Sequence, residues 1–130
     1  MIPAKTGAAK AIGLVIPELA GKLTGQAIRV PVANVSLVDL TFTSSNPLSV
    51  EGINQCLIAA ENSYLHGVLA TNSLPLVSSD FNHNRFSSIA DLSQTLVLGN
   101  TAKVFAWYDN EWAFACRMLD TARHMAAVNE

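Results

Sequence analysis

Apolar residues in this sequence recur with two periods, and the order in which those periods alternate excludes a doubly wound parallel sheet. Helical spacing comes first, in GAAKAIGLVIPELAG: Ala9, Ile12, Val15, Ile16 and Leu19 share a face, Thr6 is the expected N-cap, and Pro17 and Gly21 close the segment. Two alternating stretches follow. QAIRVPVA sets Ile28, Val30 and Val32 against Ala27, Arg29 and Pro31, and SLVDLTFT sets Val38, Leu40 and Phe42 against Leu37, Asp39, Thr41 and Thr43. The short Ala33-Asn34 connection makes them an expected antiparallel pair, with Pro31 taking the first strand off the ladder or to an edge. A second helix is expected in VEGINQCLIAAEN, capped by Ser49, with Val50, Ile53, Leu57, Ile58 and Ala60 on its apolar face. Gly52 weakens the start of that helix by up to about 1 kcal/mol. HGVLAT, PLVSSD, SSIAD and TAKVFAWY read as short strands separated by TNSLP, FNHNR and LGN. A last helix from about Glu111 to Ala127 takes Asp109 or Asn110 as its cap, with Ala115, Met118, Leu119, Ala122, Met125 and Ala126 as its core stripe.

Helix, strands, helix, strands, helix is the order of an α+β fold, a mostly antiparallel mixed sheet with helices packed on one face. Residues 1–130 read as one domain without a G-x-G-x-x-G opening, hence without a dinucleotide-binding unit of their own. Half the residues are hydrophobic and only 14% charged, which argues against disorder. A net charge of −2 with scattered Lys and Arg gives no basis for nucleic-acid or anionic-membrane binding. No apolar run approaches the roughly 20 residues of a membrane span, and MIPAKTGAAK lacks a signal-peptide core, so the expected location is cytoplasmic. Cys56 and Cys116 lie in apolar helical segments without CxxC spacing and are expected to be buried free thiols.

Four stretches hold chemistry-bearing residues. In Lys5-Thr6-Gly7-Ala8-Ala9-Lys10, small residues at a helix start let backbone N–H groups reach an anion, although the same residues serve as an ordinary cap. Arg29 is the only charge in its strand and either pairs with a carboxylate such as Asp39 or reaches a cleft to bind phosphate. DFNHN imitates an EF-hand outline, but Arg85 stands where the turn glycine belongs, and a tight Asx turn accounts for it better. His66, His83 and His124 share no ligand spacing, so no metal site is assigned. In WYDNEW, the Asn110 amide suits both capping and carboxamide recognition, while Trp107, Trp112 and Phe114 read as core aromatics. No catalytic nucleophile emerges.

IPAKTGAAKAIGLVIPELAGKLTGQAIRVP, VSLVDLTF, SSDFN and WYDNEW, taken in order, resemble the C-terminal part of the catalytic domain of phosphorylating glyceraldehyde-3-phosphate dehydrogenases over essentially the whole chain. PLVSSDFNHN through WYDNEWAFACRMLDT is also similar to the erythrose-4-phosphate dehydrogenase branch. The resemblance implies phosphate binding by Thr6 and Gly7, and by Arg29 in preference to the Asp39 pair. It also implies that Asn110 contacts the nicotinamide carboxamide of NAD and that Phe114, often Tyr in the family, lines the nicotinamide side. Two departures stand out: Ala113 replaces a glycine between the aromatics, and Lys5 replaces a small polar residue. In the family a thiolate attacks the aldehyde, hydride passes to NAD, and the thioester is phosphorolysed. The family's cysteine, partner histidine and NAD-binding domain are expected to precede Met1, and neither Cys56 nor Cys116 matches the nucleophile. The chain alone is therefore expected to be inactive and to bind no cofactor, its partners being phosphate or a phospho-aldehyde, a second copy in a homo-oligomer, and an N-terminal domain. The alternative is a non-catalytic oligomerisation module.

Overall fold

The computed structural model describes residues 1–128, which divide into two compact units, Met1–Val32 and the chain from Ala33 onward. In the first unit, β1 (Ile2–Ala4) pairs antiparallel with β2 (Ala27–Arg29), placing Ala4 opposite Ala27 and Ile2 opposite Arg29. Between them lie α1 (Ala8–Val15) and a 3-10 turn at Pro17–Leu19. The helix stops short of its apolar pattern because Pro17 disfavours a helical residue before it, and Ile16 has already left helical geometry at φ −122. Gly13 permits the close return of the chain, since a Cβ there would stand 3.0 Å from Ala20 Cα. Thr6 accepts the Ala8 N–H at 3.2 Å, while Gly7 occupies the cap position itself. None of the expected stripe on α1 and the turn is fully buried.

The second unit is a four-stranded mixed sheet in the order β3-β6-β5-β4, formed by β3 (Ser36–Thr43), β4 (Leu69–Asn72), β5 (Ser88–Leu98) and β6 (Thr101–Tyr108). Only β4 and β5 run parallel. The helix α2 (Val50–Glu61) lies between β3 and β4 and packs on one face, where Ala60, Leu69 and Ala90 are buried against Leu57, Leu65 and Leu92. On the other face Val35, Ala70, Phe81 and Ile89 form a second cluster, closed by Leu76, Phe86 and Trp107. The helix α3 (Trp112–Ala127) leaves from the end of β6. The α+β class, with three helices and a mixed sheet, is as expected.

Several local expectations are corrected. The expected hairpin of β2 with β3 does not form: β2 pairs with β1 and β3 with β6, from Ser36 opposite Tyr108 to Thr43 opposite Thr101. Pro31 has no donor to continue β2, and the Val32 N–H turns back to Val30 O at 2.9 Å. PLVSSD is not a strand but carries a 3-10 turn at Ser78–Phe81, because the Asp80 carboxylate accepts the Val77 N–H at 2.8 Å and closes the backbone locally. SSIAD is the start of an eleven-residue strand, whose middle escapes the alternating pattern through a register shift between Asp91 and Leu96. The stripe expected on α3 is exposed, including Met118 at 57% and Leu119 at 64%, and only Ala113 of that helix is buried. Cys56 is exposed and Cys116 half-buried, so neither is the core thiol expected.

The α2 start explains the awkward glycine. Ser49 Oγ accepts the Gly52 N–H at 3.0 Å, and a Cβ on residue 52 would lie 3.0 Å from that same oxygen. Gly52 costs helix propensity but leaves the cap undisturbed. Ser49→Ala removes this bond and is expected to destabilise the folded chain by about 1 kcal/mol in urea denaturation, with an unchanged slope.

Candidate functional site

WYDNEW ends β6 at Tyr108 and opens α3 at Trp112, and the residue that organises this junction is Asp109, only 1% exposed. Its Oδ1 accepts the backbone N–H groups of Glu111 at 3.0 Å and Trp112 at 2.9 Å, satisfying helix donors that would otherwise lack partners. Its Oδ2 accepts the His83 N–H at 2.9 Å and the Asn34 Nδ2 amide at 3.0 Å. Asn34 uses the same amide nitrogen to reach Asn82 Oδ1 at 2.7 Å. Burial pushes the Asp109 carboxyl up, but the N–H groups of Trp112, His83 and Glu111 and the Asn34 amide outweigh it and hold the group below the ordinary carboxylate value.

Strained backbone borders this network. His83 sits at φ +58, and Val35, a β-branched residue next to Asn34, sits at φ +73. Such conformations cost on the order of 1–3 kcal/mol each. Val35 offsets its share by burial against Phe81 and Ile89. The His83 ring lies on Trp112, with centroids 4.6 Å apart.

Around this anchor the aromatic residues separate. Trp107 belongs to the core, stacked on Phe81 at 5.3 Å and donating Nε1–H to Asp91 Oδ2 at 3.1 Å. Trp112 and Phe114 do not: they are 47% and 65% exposed, which corrects their reading as core side chains. Asn110 is exposed, and its side chain makes no hydrogen bond among the described residues. The cap is Asp109, so the Asn110 amide keeps both its donors and its acceptor for other partners. Ala113 lies inside α3, 3% exposed and without positive φ, so the methyl that replaces a glycine creates no backbone strain.

The first unit holds the other candidates. Thr6 and Gly7 follow β1 directly, and Thr6 lines an open cavity of about 440 Å³ with Pro3, Ala4, Lys5, Gly25 and Gln26. A Cβ on Gly7 would meet nothing within 4 Å, so the space beside its Cα is open. Arg29 is exposed and stands opposite Ile2, at the end of the three-residue ladder away from Ala4, after which Lys5 and Thr6 leave the strand. Asp39 is engaged by Lys103 Nζ at 2.9 Å, and Arg29 has no ion pair among the described residues.

DFNHN is an Asx-stabilised turn, in which Asn84 Oδ1 accepts the Phe86 N–H at 3.0 Å. Among the described residues no group of His, Cys, Asp and Glu is arranged to hold a metal ion, and no helix is long and apolar enough to cross a membrane. What sequence reasoning missed are the distant partners of Asp109: Asn34 is 75 positions away and His83 is 26. No local pattern announces such a convergence.

A family model described as "Glyceraldehyde 3-phosphate dehydrogenase, C-terminal domain" matches residues 1–110. The chain is 58% identical over 126 residues to the chromosomal glyceraldehyde-3-phosphate dehydrogenase of Cupriavidus necator, covering 97% of this chain and 38% of that protein. It is 56% identical over 130 residues to the glyceraldehyde-3-phosphate dehydrogenase of Pseudomonas aeruginosa, covering 100% of this chain and 38% of the relative. With glyceraldehyde-3-phosphate dehydrogenase 2 of Bacillus subtilis it shares 48% over 128 residues, 98% of this chain and 38% of the relative. The chain thus spans 38% of the length of these curated relatives.

The geometry at Asp109 has a consequence for stability. Because its folded carboxyl lies below the ordinary value, its contribution is fully present above the unfolded aspartate pKa of about 4 and is lost as pH falls through the lower folded value. Asp109→Asn places a donor among four donors and is expected to cost about 2 kcal/mol at pH 7. Thermal melts between pH 7 and pH 2 should show the penalty shrinking toward the acid end.

Proposed function

The chain belongs to the glyceraldehyde 3-phosphate dehydrogenase family through its C-terminal domain, and from that premise we propose that it supplies substrate-phosphate and nicotinamide contacts to an NAD-dependent oxidation of a phospho-aldehyde. The observation that carries this reading is the high identity across nearly the whole chain, together with Thr6, Gly7, Arg29 and Asn110 standing in the motifs of the resemblance. The three relatives are glyceraldehyde-3-phosphate dehydrogenases, which favours glyceraldehyde-3-phosphate over the four-carbon erythrose-4-phosphate.

In this reading Thr6 offers a hydroxyl and Gly7 a backbone N–H to phosphate oxygens, and Arg29 adds a charged, bidentate donor. The Asn110 amide fits a carboxamide because each group presents one acceptor beside two donors, and no intramolecular bond competes for it. Phe114 presents an exposed ring in the first turn of the same helix, suited to line the flat nicotinamide. The nicotinamide, when bound, supplies the hydride acceptor. Neither thiol is assigned a role: Cys56 and Cys116 lie on α2 and α3 without a histidine hydrogen bond among the described residues. The covalent step is therefore attributed to residues outside this sequence.

A second reading, a non-catalytic oligomerisation module, is favoured by the half-exposed Leu37, Val38 and Leu40 of β3 and the exposed Met118 and Leu119 of α3. It is compatible with the first. Concentration-independent monomers in light scattering would sink it.

Calorimetric titration with inorganic phosphate tests the first reading. Arg29→Ala is expected to weaken binding roughly tenfold, the loss of one charge-assisted donor. Unchanged phosphate affinity, or NADH formation from glyceraldehyde-3-phosphate by the purified chain alone, would overturn the assignment.

A further inference from the structure

The Asn110 side chain is exposed and has no hydrogen bond of its own among the described residues, so its backbone alone ties it to the rest of the unit. That backbone is gripped on both sides. Asp109 precedes it, and the N–H groups of Glu111 and Trp112 after it both return to Asp109 Oδ1. The Ala113 N–H also returns to the Asp109 carbonyl, at 3.2 Å. The other carboxylate oxygen is tied to two segments remote in sequence, the His83 backbone and the Asn34 amide. The His83 ring on Trp112 makes a second link between the same two segments, closing a loop of contacts around Asn110.

We propose that Asp109 is a positioning residue: its carboxylate fixes the 109–112 backbone to the His83 turn and to Asn34, and so fixes the point from which the exposed Asn110 amide is aimed. The functional value of that aim rests on the reading of Asn110 as a nicotinamide contact. The positioning itself does not.

Two measurements separate these, the first on the 130-residue chain and the second on that chain joined to the N-terminal part of its Pseudomonas aeruginosa relative. The first is ligand-free: nitrogen-15 relaxation of the Asn110 backbone amide in wild type and in Asp109→Asn. The proposal expects an ordered amide in wild type and a disordered one in the variant, while β5 and β6 amides keep their order. A freely averaging amide in wild type, or an unchanged one in the variant, overturns it. If Asp109→Asn does not fold, Asn34→Ala replaces it, removing one Oδ2 partner and leaving the Oδ1 bonds; a partial loss of Asn110 order is then expected, and none overturns the proposal.

The second measures NAD⁺ affinity in wild type, Asp109→Asn, Asn110→Ala and the double variant. Asp109→Asn is expected to weaken NAD⁺ severalfold, as much as Asn110→Ala does, and to add nothing in the Asn110→Ala background. A purely structural loss weakens binding in both backgrounds, and that outcome overturns the proposal. Absence of NAD⁺ binding by wild type, or equal binding by Asn110→Ala, refutes the nicotinamide reading instead, and the relaxation measurement then decides the positioning alone.

Discussion

A carboxylate with almost no exposure and four hydrogen bonds is the constraint around which the second unit is arranged. A buried charge without partners is among the most costly features a fold can contain, so the segments that satisfy it are not free to drift. Asp109 accordingly requires the His83 turn, the Asn34 segment and the start of α3 to meet at one point. The left-handed backbone at Val35 and His83 is intelligible in the same light: each is a local cost sustained by the bonds and burial next to it.

The apolar core around this anchor is made largely of small side chains, with Ala60, Ala70, Ala90, Ala102 and Ala113 among its buried members. Polar ties supplement it. Where the β5–β6 ladder is interrupted between Asp91 and Leu96, Asn54 of α2 fills the gap, donating to Leu92 O at 3.1 Å and accepting from Thr95 Oγ1 at 2.7 Å. Asp91, on the opposite side of that interruption, binds Ser93 and Trp107. The irregular strand is thus fixed to helix and sheet at once, which a regular ladder would not need.

Much of this was legible in the sequence where the determining interaction is local. Ser49 as the α2 cap, the α2 span, the Gly99 turn at φ +59 and the strand TAKVFAWY all follow from short-range pattern. Failures cluster where a side chain replaced a backbone partner or where a partner lay far away. Asp80 turned a strand-like PLVSSD into a 3-10 turn, and β3 found β6 rather than the nearer β2. The apolar stripes of α1 and α3 had the right period, but periodicity identifies a face without saying what covers it. At the site, the pattern left Asp109 and Asn110 as alternative caps of the last helix, and the cap is Asp109, whose carboxylate accepts more bonds than an amide can.

Asp39 has a bearing beyond its bond to Lys103. It sits mid-way along β3, an edge of the described sheet, flanked by Leu37, Val38 and Leu40. If copies stacked edge on edge in register, as in a fibril, each Asp39 would face another at about 4.8 Å, like charge on like. The strand most prone to self-templating thus carries its own veto on that register, while leaving other pairings of its edge open.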